Sequence, residues 1–193
     1  MLGRAGAAVL VGLCCLVSGC SGGDPPPSNP TVTTSTSGVA TTTAAPSTTI
    51  PPTGAPVLPD AARQQSPEGA EAFVRHWFDV STYAFANLDS AALLALGDCL
   101  TCTALAGTLD EIASRGNRLD GGAADVMSVT SAPITAEATA SVNASFVAAE
   151  AREISPEGSV VAVVDPGGSA GYVFTLRWTS DTWMADSIQL AAP

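Results

Sequence analysis

Two cysteines three positions apart, in the stretch Gly97-Asp98-Cys99-Leu100-Thr101-Cys102, carry the densest reactive chemistry of the chain. A pair at this spacing serves as a dithiol redox centre, as half of a metal site, or as a short disulfide. Zinc needs two further strong ligands, and besides carboxylates the chain offers only His76. A redox centre gains from Cys99 falling in the first turn of a helix, where free amides and the helix dipole stabilise a thiolate. A leucine-bearing helix precedes the pair, however, where a thioredoxin-like unit needs a buried strand, and Asp98 sets a negative charge beside any thiolate. A structural disulfide between Cys99 and Cys102, formed after export, is the reading adopted.

Other candidates are sparser. Gly167-Gly168-Ser169-Ala170-Gly171 matches the G-x-S-x-G pattern of a nucleophile elbow, which requires a strand before it, a helix after it and a later histidine. Here a strand follows and the sole histidine lies far upstream, so the stretch reads as a hairpin loop. His76 would be a general base if a carboxylate such as Asp79 or Glu71 oriented it. It falls beside the apolar stripe of its helix, which predicts a boundary or surface position. The carboxylates are spread singly, and Asn143-Ala144-Ser145 reads as a chance match to a glycosylation acceptor. No convergent catalytic set emerges, no metal or other cofactor is implied, and whether the protein is an enzyme stays open, with a non-catalytic role favoured.

These residues must be held by elements whose extent the 193-residue chain itself limits. Residues 1–19 carry Arg4 and an apolar run Ala7 to Val17, which reads as an export signal too short to remain as a membrane span. Val17-Ser18-Gly19-Cys20 resembles the lipobox of bacterial lipoproteins. The resemblance implies cleavage before Cys20 and lipidation of that cysteine, with several acyl chains holding the protein at the outer face of the cell membrane. The formal net charge is −11, and removal of Arg4 with the signal leaves −12. With seven arginines and no lysine, the chain has no basic run to neutralise phosphates, which excludes nucleic acid as a partner.

Residues 20–65 are rich in Thr, Pro, Ser and Gly and lack aromatic side chains, so they cannot bury enough surface to offset the entropy of ordering. They read as a disordered linker that spans roughly 35–40 Å as a flexible coil. The folded domain is placed at 66–193. Ser66 as N-cap, Pro67 and Glu68 open a helix whose Ala70, Phe73, Val74, Trp77, Ser81, Ala84 and Phe85 form one stripe. A short helix is predicted over Ser90 to Leu96. A third, capped by Asp98, presents Leu105, Leu109 and Ile112 and stops at Arg115-Gly116.

After Gly121-Gly122 the apolar period becomes two. Thr135 to Ala148 alternates strictly and reads as a half-buried strand, flanked by strands at Val126 to Val129 and Val160 to Val164. Asp165-Pro166-Gly167-Gly168 reads as a turn. Tyr172, Phe174, Leu176 and Trp178 line a further strand, and a two-residue turn at Ser180-Asp181 sets Trp178 opposite Trp183. Helices followed by antiparallel strands predict an α+β domain, with three N-terminal helices packed on one bent antiparallel sheet.

Glu68-Gly69-Ala70-Glu71-Ala72-Phe73, continued by Trp77-Phe78-Asp79 and Tyr83-Ala84 and closed by Cys99-Leu100-Thr101-Cys102, resembles an uncharacterised family of actinobacterial lipoproteins, a domain of unknown function. The resemblance covers roughly residues 66 to 190 and implies a nuclear-transport-factor-like cone, a bent sheet closing around a helix. It transfers no reaction. The expected function is that of a membrane-anchored envelope lipoprotein whose domain binds a protein, a cell-wall component or a small ligand. The alternatives are a pocket-bearing enzyme, its cavity between the alanine-lined strand and the first helix, and a C-x-x-C oxidoreductase.

Overall fold

A computed structural model describes residues 54–191; the expected signal, Cys20 and most of the expected linker lie outside the described residues. Helix α1 runs Pro67–Asn87, α2 Ser90–Leu94 and α3 Leu100–Ser114. The Ser66 hydroxyl accepts the Gly69 N–H at 3.1 Å, as an N-cap does, and Leu88 closes α1 in the left-handed region at φ 53°. Asp89 caps α2 through the Ala92 N–H. The cap of α3 differs from expectation. Cys99, not Asp98, is the N-cap, and its Sγ accepts the Cys102 N–H at 3.0 Å. The side chain that the pair holds beneath the first turn thereby displaces the exposed Asp98 from that role.

The chain ahead of Ser66 belongs to the domain, which corrects the boundary placed at 66. A 3-10 turn at Asp60–Arg63 buries Ala62 completely, Leu58 packs on the core, and the Gln64 carbonyl accepts the indole N–H of Trp183 at 2.9 Å. Proline and small residues hid this segment: its stability comes from docking on α1 and the last strand and not from any apolar period of its own.

Seven strands follow: β1 Arg118–Gly121, β2 Ala124–Ser131, β3 Thr139–Ala148, β4 Ala151–Ile154, β5 Val160–Asp165, β6 Gly168–Thr179 and β7 Thr182–Leu190. They form two antiparallel sheets, ordered β1-β4-β5 and β2-β3-β6-β7, which with the helices make an α+β, cone-like domain. Alternation along β3 is as expected, with Ala140, Val142, Ala144 and Phe146 buried beneath α1. β3 begins at Thr139 and not Thr135, because Ala138 at φ 58° and its N–H bond to the Thr135 carbonyl make residues 135–138 a turn. Trp178 does face Trp183 across the β6–β7 hairpin, ring centroids 5.2 Å apart and nearly perpendicular.

Gly168 to Gly171 lie in β6 and not in the expected hairpin loop, and the turn at Asp165-Pro166-Gly167-Gly168 joins two strands that do not pair, since β5 pairs with β4 and β6 with β3 and β7. It is one of three adjacent kinks at which chains pass from one sheet into the other. Gly121 and Gly122 (φ 88° and 81°) link β1 to β2, Ala149-Glu150 link β3 to β4, and Gly167 (φ 73°) lies between β5 and β6. A Cβ on Gly121 would meet the Glu150 carbonyl oxygen at 1.9 Å, and one on Gly167 the Glu150 nitrogen at 2.7 Å. Only glycine permits both the backbone angles and this approach, so the aligned glycines set the bend.

Candidate functional site

The bend leaves a cleft on its concave side. Turns of α1 present Trp77, Phe78, Ser81 and Phe85 at helical spacing, and β3 and β6 oppose them with Phe146, Ala148 and Tyr172. This lobe has a volume of about 60 Å³. Phe85, Leu105 and Asp165 are shared with a second, more enclosed lobe of about 160 Å³, closed by Leu109 of α3, Leu119, Ala151 and Val164. Gly122 is required here too, because a Cβ would stand 2.9 Å from the Phe85 ring. From β3 the cleft is lined by Phe146 and Ala148, while Ala140 and Ala144 are packed in the core, so the alanines that alternate along the strand do not by themselves leave this cavity.

The walls combine aromatic rings with the polar groups of Ser81, Asp165 and Tyr172. Phe146 and Tyr172 lie 4.8 Å apart between centroids, Phe78 and Phe146 4.9 Å, and Trp77 meets Tyr172 edge-on at 6.3 Å. Burial raises the Tyr172 phenol above its ordinary pKa, and the charge of Asp165 raises it further, so the phenol stays protonated and available as a donor. The Asp165 carboxylate accepts the Gly167 N–H at 2.8 Å. The Ser81 hydroxyl is spent on the Phe78 carbonyl at 2.9 Å. The Trp77 indole N–H, by contrast, is buried without an acceptor among the described residues. An unsatisfied buried donor costs about 1–3 kcal/mol, and native proteins hold few of them.

His76 is buried, 6 % exposed, where the sequence pointed to a boundary position. It lines a separate, more open cavity of about 220 Å³ with Arg63, Asp181 and Trp183. Burial lowers its pKa, partly offset by Asp79, which keeps the ring neutral at neutral pH. No hydrogen bond orients the ring among the described residues, as a general base would need. Tyr83 is elsewhere, its carbonyl accepting the Asn87 side chain. Ser169 sits in β6 opposite Val147, so the strand that follows it denies the elbow its helix.

Cys99 and Cys102 lie at disulfide-bonding distance with Cα atoms 5.1 Å apart, and both are essentially inaccessible. Thiol exchange requires a sulfur that a partner thiolate can reach, and neither offers one. Among the described residues no group of three or more His, Cys, Asp or Glu side chains is arranged to hold a metal ion, and no helix is long and apolar enough to cross a membrane. Sequence reasoning missed Glu153, the buried carboxylate that ties α3 to β4. It accepts Arg115 Nε at 2.8 Å and Nη2 at 3.1 Å, and the Asn117 amide as well. Arginine and asparagine next to a helix stop were the only signal.

Residues 39–189 match the profile of a family of unknown function, DUF6318. No curated protein matches the chain. Among solved structures, the intermembrane space region of the chloroplast protein ARC6 is similar with a TM-score of 0.49 and 15 % identity, over 66 % of this chain and 97 % of that one. A putative aromatic ring hydroxylase from Novosphingobium aromaticivorans gives a TM-score of 0.44 and 14 % identity, over 66 % and 92 % of the respective chains.

Proposed function

Since the chain belongs to DUF6318, a family of unknown function, we propose its role from its own chemistry: a non-catalytic envelope lipoprotein, anchored through Cys20, whose cleft binds a small uncharged ligand. The observation that carries the ligand is the indole N–H of Trp77, buried without an acceptor among the described residues, on a side chain that lines the cleft. The nitrogen itself is closed off from the cleft, so a turn of the ring must bring it to a bound carbonyl or ether oxygen, while the aromatic walls take the apolar part of the molecule. Anions are disfavoured, because Asp165 borders both lobes and no arginine lines either. The lipobox-like stretch and the Thr/Pro-rich segment after it support the anchor and the stalk. The bent sheet around α1 is the architecture we assign to the nuclear-transport-factor-like cone.

Acetophenone is a suitable probe, since it pairs one acceptor with an aromatic ring. In a ¹⁵N–¹H spectrum the Trp77 indole resonance is expected to move on titration while that of Trp183, already bonded to Gln64, stays in place. Trp77→Phe should abolish binding. An unmoved Trp77 signal at millimolar probe, with no small molecule co-purifying from cells, would refute the cleft as a ligand site. The anchor is tested separately: Cys20→Ser should release the chain from the membrane fraction, and retention there would refute it.

A further inference from the structure

Two open sheets have four edges, and three of them are guarded. β1 is four residues long and bears Arg118 and Asp120; β2 carries Asp125 and a bulge. β7 is covered, its Ala185 N–H bonded to the Leu96 carbonyl at 2.9 Å and its Ile188 carbonyl to the Thr101 hydroxyl at 2.9 Å. Short strands, charges, bulges and covering elements are the usual protections against pairing with another chain. β5 is different. Val160, Val161, Val163 and Val164 are 56, 54, 54 and 40 % exposed, and no charge occurs before Asp165. A run so rich in β-branched residues normally has at least one face covered.

The order of residues in this edge identifies what fits it. Val160-Val161-Ala162-Val163-Val164 reads the same in both directions about Ala162. Antiparallel pairing with a second copy about a two-fold axis at Ala162 therefore sets Val160 opposite Val164, Val161 opposite Val163, and Ala162 opposite itself. The same register sets Asp165 opposite Ser159 and Glu157 opposite Gly167, so no like charges face each other even though each copy is strongly acidic. We propose that β5 is a homodimer contact, in which two copies of this chain join their three-stranded sheets into one six-stranded sheet with the charged β1 at both ends.

Such a contact is isologous and closes on itself, which leaves no valine edge free to propagate a fibre. β5 is bulged at Val161 and Val164 relative to β4. Bulges increase twist and shorten regular pairing, so the contact is small, below the ~1,200 Å² typical of stable complexes. A weak, concentration-dependent dimer is the consequence. Because both copies carry the same net charge, added salt should tighten it.

Sedimentation of the full chain from micromolar to millimolar concentration tests this. A reversible monomer–dimer equilibrium that strengthens with salt is expected. The chain carrying Val161→Lys and Val163→Lys should dissociate at least ~100-fold more readily, because each facing pair becomes like-charged. That loss would occur even though lysine lowers the overall negative charge. Mixing it with a chain carrying Val161→Glu and Val163→Glu puts opposite charges in every facing pair and should restore a dimer, now hetero, which no misfolded variant could do. A monomer throughout the range, or a wild-type dimer unaffected by the lysines, would overturn the proposal. So would crosslinking in cells through Ala162→Cys to a different protein and not to a second copy.

Discussion

Replacing Gly69 by alanine sets helix propensity against tertiary structure. Glycine within a helix costs up to ~1 kcal/mol relative to alanine, so propensity alone predicts that Gly69→Ala stabilises. In the fold, an added Cβ would stand 2.0 Å from the Gln64 carbonyl oxygen and 3.1 Å from that of Ala61. Ordinary contact begins at 3.4 Å, so the segment before α1 would have to retreat by at least 1.4 Å. That carbonyl is the acceptor for the fully buried Trp183, at 2.9 Å. Overpacking costs about 1–3 kcal/mol and leaving the indole N–H and the carbonyl unpaired another ~1–3 kcal/mol. Against the propensity gain, the net loss is roughly 1–5 kcal/mol, which for a domain of this size lowers the thermal midpoint by roughly 4–20 °C. Circular dichroism on heating and in urea measures it. Trp183→Phe removes the same bond, so the double variant should lose less than the sum of the singles. A midpoint unchanged or raised in Gly69→Ala would refute both the docking of residues 58–65 and the reasoning from it.

Acid should weaken the fold through Glu153. Hydrogen bonds from Arg115 and then Asn117 hold its carboxyl below the ordinary glutamate value, so the unfolded chain takes up the proton first. The stabilisation is present above the ordinary value and disappears as pH falls through the folded one; Glu153→Gln should remove that part of the slope in pH-dependent melting. His76 acts at higher pH, because burial lowers its pKa and the unfolded chain binds the proton from about 6.5 downward. Stability should begin to decline just below that pH, and His76→Gln should flatten the decline; an unaltered profile would contradict the buried, neutral ring. Reducing the Cys99–Cys102 bond, which closes a very short loop, should cost about 2 kcal/mol in urea melts. Mass spectrometry of the native chain should find neither cysteine alkylated before denaturation, and ready alkylation would count against the disulfide.

The elements with a clear period were legible in the sequence. The stripe from Ala70 to Phe85 marked α1, strict alternation marked β3, and the two tryptophans flanking Ser180-Asp181 gave the last hairpin its register. The cleft was not legible as drawn, because Ala140 and Ala144 pack into the core and β3 lines the cleft with Phe146 and Ala148. Hidden were β1 and β4, where Arg-Leu-Asp-Gly and Ala-Arg-Glu-Ile are too short and too charged to show alternation. Glu153 looked like one more solvated carboxylate until Arg115 and Asn117 were found closing over it.

By itself the sequence determined the α+β order of elements and the strongly negative net charge, because composition and periodicity act locally and need no partner. Three things depended on segments distant in the chain. One is the conversion of glycine-rich turns into an aligned kink, since Gly121 and Gly167 constrain each other only through Glu150. Another is the recruitment of residues 58–65, which are held by a tryptophan more than a hundred positions away. The third is the orphaned N–H of Trp77. A helical tryptophan reads as core, and only the packing around it leaves its one polar atom without an acceptor among the described residues.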